Sequence, residues 1–256
     1  MRRVRPISHD DRLSVVDHLD ELRSRLIMCV VAFVVAMALT AWQNHRVLDI
    51  MNAPLPDNVD HPITLGPAEA FYTTITNSAY VALLIALPVI LYQLYAFLLP
   101  AFSPQERRVA LPLLLMVPLL FIAGVVFCYF LILTPAMKFL LNFNADQFNT
   151  QVRARDYYGF ITMLMLAMGL AFQVPVGVLA ACKLRITTPE KLRRGRRYAI
   201  VITVVLAALL PTIDPLSLIL ESVPMYLLYE LSILMASAWG RPIGDVADQP
   251  APEGTG

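Results

Sequence analysis

Six long apolar runs divide this chain, and they restrict it to one class of fold. They extend over Leu26–Trp42, Ala79–Phe97, Leu111–Leu133, Phe160–Cys182, Tyr198–Leu210 and Leu216–Ala236. Most approach the roughly 20 apolar residues that a helix needs to cross the hydrocarbon core of a bilayer. The chain is 58% hydrophobic and 15% charged, whereas a soluble domain carries roughly 25% charged residues. We therefore predict an all-α polytopic membrane protein with six transmembrane helices.

The basic residues are distributed unequally between alternate loops. Of the 20 Lys and Arg residues, only four fall on one side: Arg46, Lys138, Arg153 and Arg155. Because cytoplasmic loops carry the excess of basic charge, both termini and the loop around Ser103 are predicted to be cytoplasmic. Asn58 and Asn149 are predicted to face outward. Residues 1–236 are predicted to form one membrane domain, and the Pro- and Gly-rich residues 237–256 a disordered cytoplasmic tail.

The residues before the first run predict an amphipathic helix over positions 14–25 that continues into the first span. Ser14 and Asp17 fit a capping box at its start. At helical spacing the apolar positions share one face, and the acidic positions share the opposite face. That acidic face contains Asp17, Asp20 and Glu21. Either it docks a cationic partner at the membrane surface, or it is a solvated face that Arg23 and Arg25 neutralise.

The fifth run is too short for a full span. Ala199–Leu210 covers roughly 18 Å as a helix, against about 30 Å of hydrocarbon. A tight turn at Asp214 and Pro215 follows, so helices five and six are predicted to be short. Either this hairpin thins the bilayer, or neighbouring helices bury its tip.

Prolines lie within or at the ends of most runs and are expected to kink the helices. They are Pro88, Pro112, Pro118, Pro175 and Pro224. Six kinked helices of unequal length predict a concave wall. The outer loops Gln43–Ser78 and Thr134–Gly159 are long enough to form caps with short helices.

The sequence lacks the motifs of an enzyme active site. It has no Gly-x-Ser-x-Gly or His-Glu-x-x-His motif and no Gly-rich phosphate loop. The three cysteines are isolated from one another, which argues against a metal site or a disulfide framework. We therefore predict no catalysis, no cofactor and no metal. For the basic loop Lys183–Arg197, orientation and anionic lipid are a better explanation than nucleic acid.

A few polar residues near or inside the runs are candidates for function. Glu106 follows Ser103 and Pro104 at positions that fit a capping box at the start of the third helix. Gln173 lies in the fourth run, where a buried amide needs a partner. Glu221 lies in the sixth run, and a carboxylate inside a membrane span is a candidate functional site by default.

A set of motifs stands in order from about Val15 to Ala236. They are His18-Leu-Asp-Glu-Leu-Arg23, Leu87–Phe97 followed by Pro100 and Glu106-Arg-Arg108, Phe172-Gln-Val-Pro-Val176, Ile186-Thr-Thr-Pro-Glu190, Arg194-Gly-Arg-Arg-Tyr198 and Pro224–Glu230. Together they resemble the TatC family, the receptor subunit of the twin-arginine protein translocase.

The resemblance implies a receptor in a bacterial-type plasma (inner) membrane, forming a homo-oligomer. It would bind the twin-arginine signal peptides of folded cargo on its cytoplasmic face and recruit small single-span partners of the TatA or TatB type. It implies signal-peptide binding by Glu21, Arg23, Phe97, Pro100 and Glu106, partner-helix docking by Gln173, Asp214 and Glu221, and a structural role in the first outer loop for Pro54.

The chain departs from the family pattern in the region that would dock a partner helix. Gln173 stands where the family often has Glu, and Pro211-Thr-Ile-Asp214 stands where Thr-Pro-Pro-Asp is usual. Leu218 replaces a common Gln, and Glu221 replaces an apolar residue. The alternative function, a small-molecule or ion transporter, would require charged sites at the membrane midplane and usually an internal repeat. We find no convincing repeat in the sequence.

Overall fold

The computed structural model describes residues 9–56, 61–98, 104–147, 151–183, 186–210 and 214–239. Almost all of them are helical, which confirms the predicted all-α membrane fold. The helices are α1 His9–Trp42, α2 Asn44–Asn52, α3 Glu69–Leu98, α4 Pro104–Phe127, α5 Thr134–Asn142, α6 Ala154–Ala171, α7 Val174–Lys183, α8 Pro189–Arg194, α9 Arg196–Ala208 and α10 Pro215–Trp239. A π-helical segment, Cys128–Leu133, joins α4 to α5.

Five helical segments of the described chain are long and apolar enough to cross a membrane. They are His18–Trp42, Glu69–Phe97, Leu113–Asn142, Ala154–Cys182 and Pro215–Ala238. The fifth predicted span corresponds to α9, whose 13 residues extend over roughly 20 Å. This helix is therefore short, as predicted.

The sixth helix is not short, and that prediction is wrong. α10 has 25 residues and contains Pro224 in its interior without ending there. It also continues past Ala236, so the predicted start of the tail at residue 237 falls inside the helix. Residues 240–256 of the predicted tail lie outside the described part of the chain.

α1 joins the amphipathic segment to the first membrane span without a break. The helix begins at His9, more than a turn before Ser14. Ser14 is therefore inside the helix, and the prediction that it caps the helix start is wrong.

The third membrane helix is continuous from α4 through the π-helical segment into α5. α4 begins at Pro104, as the predicted capping box requires. α5 is the short helix predicted for the second outer loop, but it continues the membrane helix rather than standing apart. Pro135 cannot donate a hydrogen bond to the preceding turn, and the wider π-helical turns before it accommodate the proline without ending the helix.

The fourth membrane helix is broken at Phe172 and Gln173, between α6 and α7. Pro175 follows directly and has no N–H to donate to the carbonyl of Ala171. The N–H of Gln173 donates to the carbonyl of Leu170 at 2.9 Å, which is the spacing of a turn and not of an α-helix. The break therefore places Gln173 at the junction of two helical pieces.

The outer loops form a cap in which α2 is the predicted short helix. Ile63 and Arg153 form a parallel β-bridge that joins the first outer loop to the second. The Nε of Arg153 also donates to Oε1 of Glu69 at 2.6 Å. The hydroxyl of Tyr157 donates to the carbonyl of Met51 in α2 at 2.7 Å. These bonds hold the cap to the ends of the membrane helices.

The membrane helices pack in a row. α1 packs against α3, α3 against α4 and α6, α7 against α10, and α10 against α9. α4 and α6 also pack against each other and approach closely. A Cβ atom on Gly124 would lie 2.8 Å from the carbonyl oxygen of Met168, and one on Gly169 would lie 2.6 Å from the Phe121 ring. Only residues without a side chain allow the two backbones to come this close.

Candidate functional site

A polar cluster joins α1 to α3 near the start of the first membrane span. The Nε of Arg25 donates to Oε1 of Glu21 at 3.0 Å, and its Nη1 donates to Oε1 of Gln93 at 3.0 Å. The side chains of Arg25 and Glu21 are 22% and 32% exposed. Because both charges are partly removed from water, their attraction is stronger than that of a fully solvated pair. Arg25 thus orients the Glu21 carboxylate and ties α1 to α3.

Phe97 lies beside this cluster at the end of α3. Its ring stacks on the imidazole of His18, with the ring centroids 4.4 Å apart and the planes at 15°. His18 precedes Glu21 by three residues on α1, so the two side chains are neighbours on one helix face. The structure therefore brings Glu21 and Phe97, which lie on different helices, onto one surface. We call the residues Glu21, Arg25, Gln93, His18 and Phe97 the α1–α3 surface.

Of the other three residues predicted for signal binding, the structure describes the side chain of Arg23 alone. Arg23 is exposed on α1 and forms no ion pair with any carboxylate of the described chain. Pro100 lies outside the described residues. Glu106 lies in the first turn of α4, and its side chain is outside the described part of the structure.

The sequence-based site lacked three members of this surface, His18, Arg25 and Gln93. His18 stood in the motif His18–Arg23 but was not assigned to the site. Arg25 carried a signal, because a Glu followed four residues later by an Arg is the spacing of a helical ion pair. Gln93 carried none, since an isolated amide in an apolar run does not reveal which helix faces it. The Arg25 contact agrees with the interpretation of the acidic face as a neutralised one. Glu21 nevertheless stays partly exposed, so an incoming guanidinium can share it with Arg25 or displace Arg25.

Gln173 is buried at the break between α6 and α7. Its Nε2 donates to the carbonyl of Val117 in α4 at 3.1 Å. Its Oε1 has no hydrogen-bond partner among the described residues. A buried amide left half-satisfied in this way is a position where a further donor would be stabilising.

Asp214 directly precedes α10, whereas Glu221 lies inside it, and the two have different surroundings. Asp214 is the N-cap of α10, because its Oδ1 accepts from the backbone N–H of Ser217 at 2.7 Å. Glu221 is 0% exposed on α10, which packs against α7 and the π-helical segment. Glu221 is not presented on the surface, and the partly exposed Asp214 uses Oδ1 to cap α10, so we expect their effect on a partner helix to pass through the position of α10.

Pro54 is buried in the outer cap just after α2. The N–H of Leu55 donates across it to the carbonyl of Asn52 at 2.9 Å. A proline at this point stops the helix, because it cannot continue the helical hydrogen-bond pattern. Within the ranges that the structure describes, no group of three or more His, Cys, Asp or Glu side chains could hold a metal ion.

Comparison with known proteins assigns this arrangement to a family. Residues 17–224 match the family model described as Sec-independent protein translocase protein (TatC). The chain is 34% identical over 233 residues to the Sec-independent protein translocase protein TatC of Escherichia coli (strain K12), covering 90% of each chain. It is 36% identical over 227 residues to the corresponding protein of Aquifex aeolicus (strain VF5), covering 87% of this chain and 94% of that one.

A solved structure shares the fold as well as the sequence. It is the crystal structure of a twin-arginine translocase receptor, TatC, with a TM-score of 0.74 and 36% identity. The match covers 88% of this chain and all of the other. The chain therefore belongs to the TatC family of Sec-independent protein translocase proteins.

Proposed function

We propose that this protein is the receptor subunit of a twin-arginine translocase, and that it binds twin-arginine signal peptides at the α1–α3 surface. As a member of the TatC family it is a component of a protein translocase and not an enzyme. The observation that carries the assignment of the site is the position of Glu21. This partly exposed carboxylate lies beside the stacked rings of His18 and Phe97, so charge and apolar surface are adjacent.

The chemistry of two adjacent arginines fits such a surface. A guanidinium is planar, always charged and able to donate two parallel hydrogen bonds to one carboxylate, which a lysine ammonium cannot do. Glu21 would accept one arginine. Glu106, at the start of α4, would accept the other, and Phe97 and Pro100 would contact the apolar residues that follow. Arg23 would interact with acidic groups or carbonyls of the peptide.

A binding measurement with paired peptides tests this assignment. A fluorescent twin-arginine peptide should bind the purified full-length protein, and the same peptide with two lysines should bind about tenfold more weakly, the equivalent of about 1.4 kcal/mol. The two peptides carry the same charge, so the difference isolates guanidinium recognition. Equal affinities would mean that the surface attracts positive charge without reading arginine.

The orientation of the chain is a further part of the proposal. The excess of basic residues supports a cytoplasmic location for both termini and for the α8 region, and an outward location for the cap. On a background without the native cysteines, a membrane-impermeant thiol reagent added from outside should label Thr64→Cys in the cap but not Arg193→Cys in α8. Both positions are exposed. The reverse labelling pattern would overturn the proposed topology.

We also propose that single-span partners of the TatA or TatB type dock near α7 and α10, and that the protein forms a homo-oligomer. The Oε1 of Gln173 is buried and has no partner among the described residues, so it would accept from a donor that a partner helix inserts at the break between α6 and α7. Asp214 and Glu221 would act from inside by fixing the start and the packing of α10. The residues of this region depart from the pattern that the family resemblance implies, so these roles are expectations for the residues of this chain.

Gln173→Leu tests the docking role. The substitution should weaken co-purification of a single-span partner about threefold, because a hydrogen bond between membrane helices contributes roughly 0.6 kcal/mol. Binding of the twin-arginine peptide should be unchanged. Thr74→Leu on α3 is the matched control, since it removes a polar group from a less buried position in a membrane helix other than α7 and α10. Unchanged partner recovery with Gln173→Leu would place the docking surface elsewhere.

A further inference from the structure

An apolar groove separates the short helix α9 from α6 and α7. The groove has a volume of about 620 Å³, and α10 forms its floor. Its lining includes Ala171, Val174, Ile202, Leu206 and Met225. Ile202 is 56% exposed although it lines the groove, so the groove opens sideways to the surroundings of the helix. In a membrane those surroundings are hydrocarbon chains.

One end of the groove is closed by the segment that connects α8 to α9. Leu192, Gly195 and Tyr198 line this end. The hydroxyl of Tyr229 on α10 donates to the carbonyl of Leu192 at 2.9 Å and holds the segment in place. The Arg197 guanidinium lies over the Tyr198 ring, with its central carbon 4.7 Å from the ring centroid. A fixed cation thus lies at this end of the groove.

The basic residues at this end are not all neutralised. Arg196 is paired with Glu230 at 2.8 Å. The pKa of Glu190 is lowered by hydrogen bonds from the Glu190 backbone N–H and from Thr188, and also by the charges of Arg193 and Arg194. The Glu190 carboxylate therefore offsets part of the positive charge of these two arginines. Lys191 and Arg197 form no ion pair with any described carboxylate. This end of the groove therefore keeps an excess of positive charge.

We propose that this groove binds an anionic phospholipid, with an acyl chain along α9 and the phosphate at Lys191 and Arg197. The volume is in the range of about 300–1,000 Å³ that suits a small apolar ligand. A transmembrane helix about 10 Å wide and 30 Å long would displace on the order of 2,000 Å³ and does not fit inside it. Charge complementarity selects an anionic headgroup over a zwitterionic one. The bound chain would fill the gap beside α9 and brace this short helix against α6 and α7.

Lipid retention measured by native mass spectrometry tests the proposal on the full-length protein. The protein is equilibrated in detergent with equal amounts of dioleoyl phosphatidylglycerol and dioleoyl phosphatidylcholine, which have identical chains. We expect the wild type to retain phosphatidylglycerol about tenfold more often than phosphatidylcholine. Lys191→Gln with Arg197→Gln should bring the two lipids close to parity. Glycerol phosphate, which has the headgroup charge but no acyl chain, should not displace the lipid.

Matched variants separate the groove from the rest of the surface. Ile202→Trp should reduce retention of both lipids because it narrows the groove, and Val201→Trp should not, since Val201 is also exposed on α9 but does not line the groove. Arg155→Gln controls for charge, because Arg155 lies over Tyr72 in the outer cap. Equal retention of the two lipids by the wild type, or equal effects of the two tryptophan variants, would overturn the proposal. Photocrosslinking from position 202 to a single-span protein in place of lipid would also overturn it.

Discussion

Gly124→Leu is expected to lower the free energy of unfolding by about 3 kcal/mol, the upper part of the range for overpacking a well-packed interior. Even a Cβ atom at this position would lie 2.8 Å from the backbone oxygen of Met168 and 2.8 Å from the Phe172 ring. The backbone oxygen cannot rotate away, so α4 and α6 must separate. Their separation would also disturb the Gln173–Val117 hydrogen bond, which joins α4 to the break at the end of α6.

Gly177→Leu is the matched control for this substitution. A Cβ on Gly177 meets no atom within 4 Å, and the residue lies in α7, a helix of another membrane segment. Both changes gain the same helix propensity, about 1 kcal/mol over glycine, so the difference between them reports packing alone. Thermal or chemical unfolding in detergent measures it. Equal stability of the two variants would mean that the α4–α6 crossing is looser than described.

Glu21→Arg combined with Glu106→Arg is expected to abolish binding of a twin-arginine peptide without unfolding the protein. The double variant replaces both proposed acceptors with cations that repel the incoming guanidinium groups. Loss of a partly desolvated charge pair costs a few kcal/mol, much of it from leaving one charge unpaired, which corresponds to about a hundredfold or more in affinity. Glu106→Gln should weaken binding less than Glu106→Arg, because a glutamine keeps the capping box of α4.

Milder variants on α1 show which carboxylate matters. Glu21→Gln and Asp20→Asn each remove one negative charge from adjacent positions of the same helix. Glu21 lies next to the Phe97–His18 stack and contacts Arg25, whereas Asp20 is fully on the exposed side. We expect Glu21→Gln to weaken peptide binding and Asp20→Asn to leave it unchanged. Equal losses would mean that α1 contributes only overall charge. Normal export of twin-arginine cargo by the double charge-reversal variant would contradict the site.

The sequence predicted those features of the fold that depend on local patterns. Apolar run length identified the membrane helices and the short α9, because burial in a bilayer imposes a length on each span. Pro104 marked the start of α4 correctly, since a proline at the first helical position is compatible with the missing N–H. At Ser14 the same kind of reasoning was wrong, because a capping motif does not act when the preceding residues are also helical.

Features that depend on contacts between distant segments were outside the reach of the sequence. The Arg25–Gln93 hydrogen bond joins residues on facing helices, and no local pattern indicates that pairing. The burial of Glu221 depends on how α10 packs against α7 and the π-helical segment. Pro224 is predicted from the sequence to kink its helix, and α10 continues past it without ending. Neighbouring helices in a membrane can compensate for the lost hydrogen bond.

Photocrosslinking of a twin-arginine peptide tests the central claim most directly. A photoreactive residue is placed immediately after the two arginines, and the peptide is bound to the purified full-length protein. We predict adducts on α1 near Glu21 and on the end of α3 at Phe97. The same peptide without the label, added as a competitor, should suppress these adducts. The twin-lysine peptide, added in the same way, should not. Adducts confined to the outer cap, or adducts that both peptides suppress equally, would contradict binding of twin-arginine signals at the α1–α3 surface.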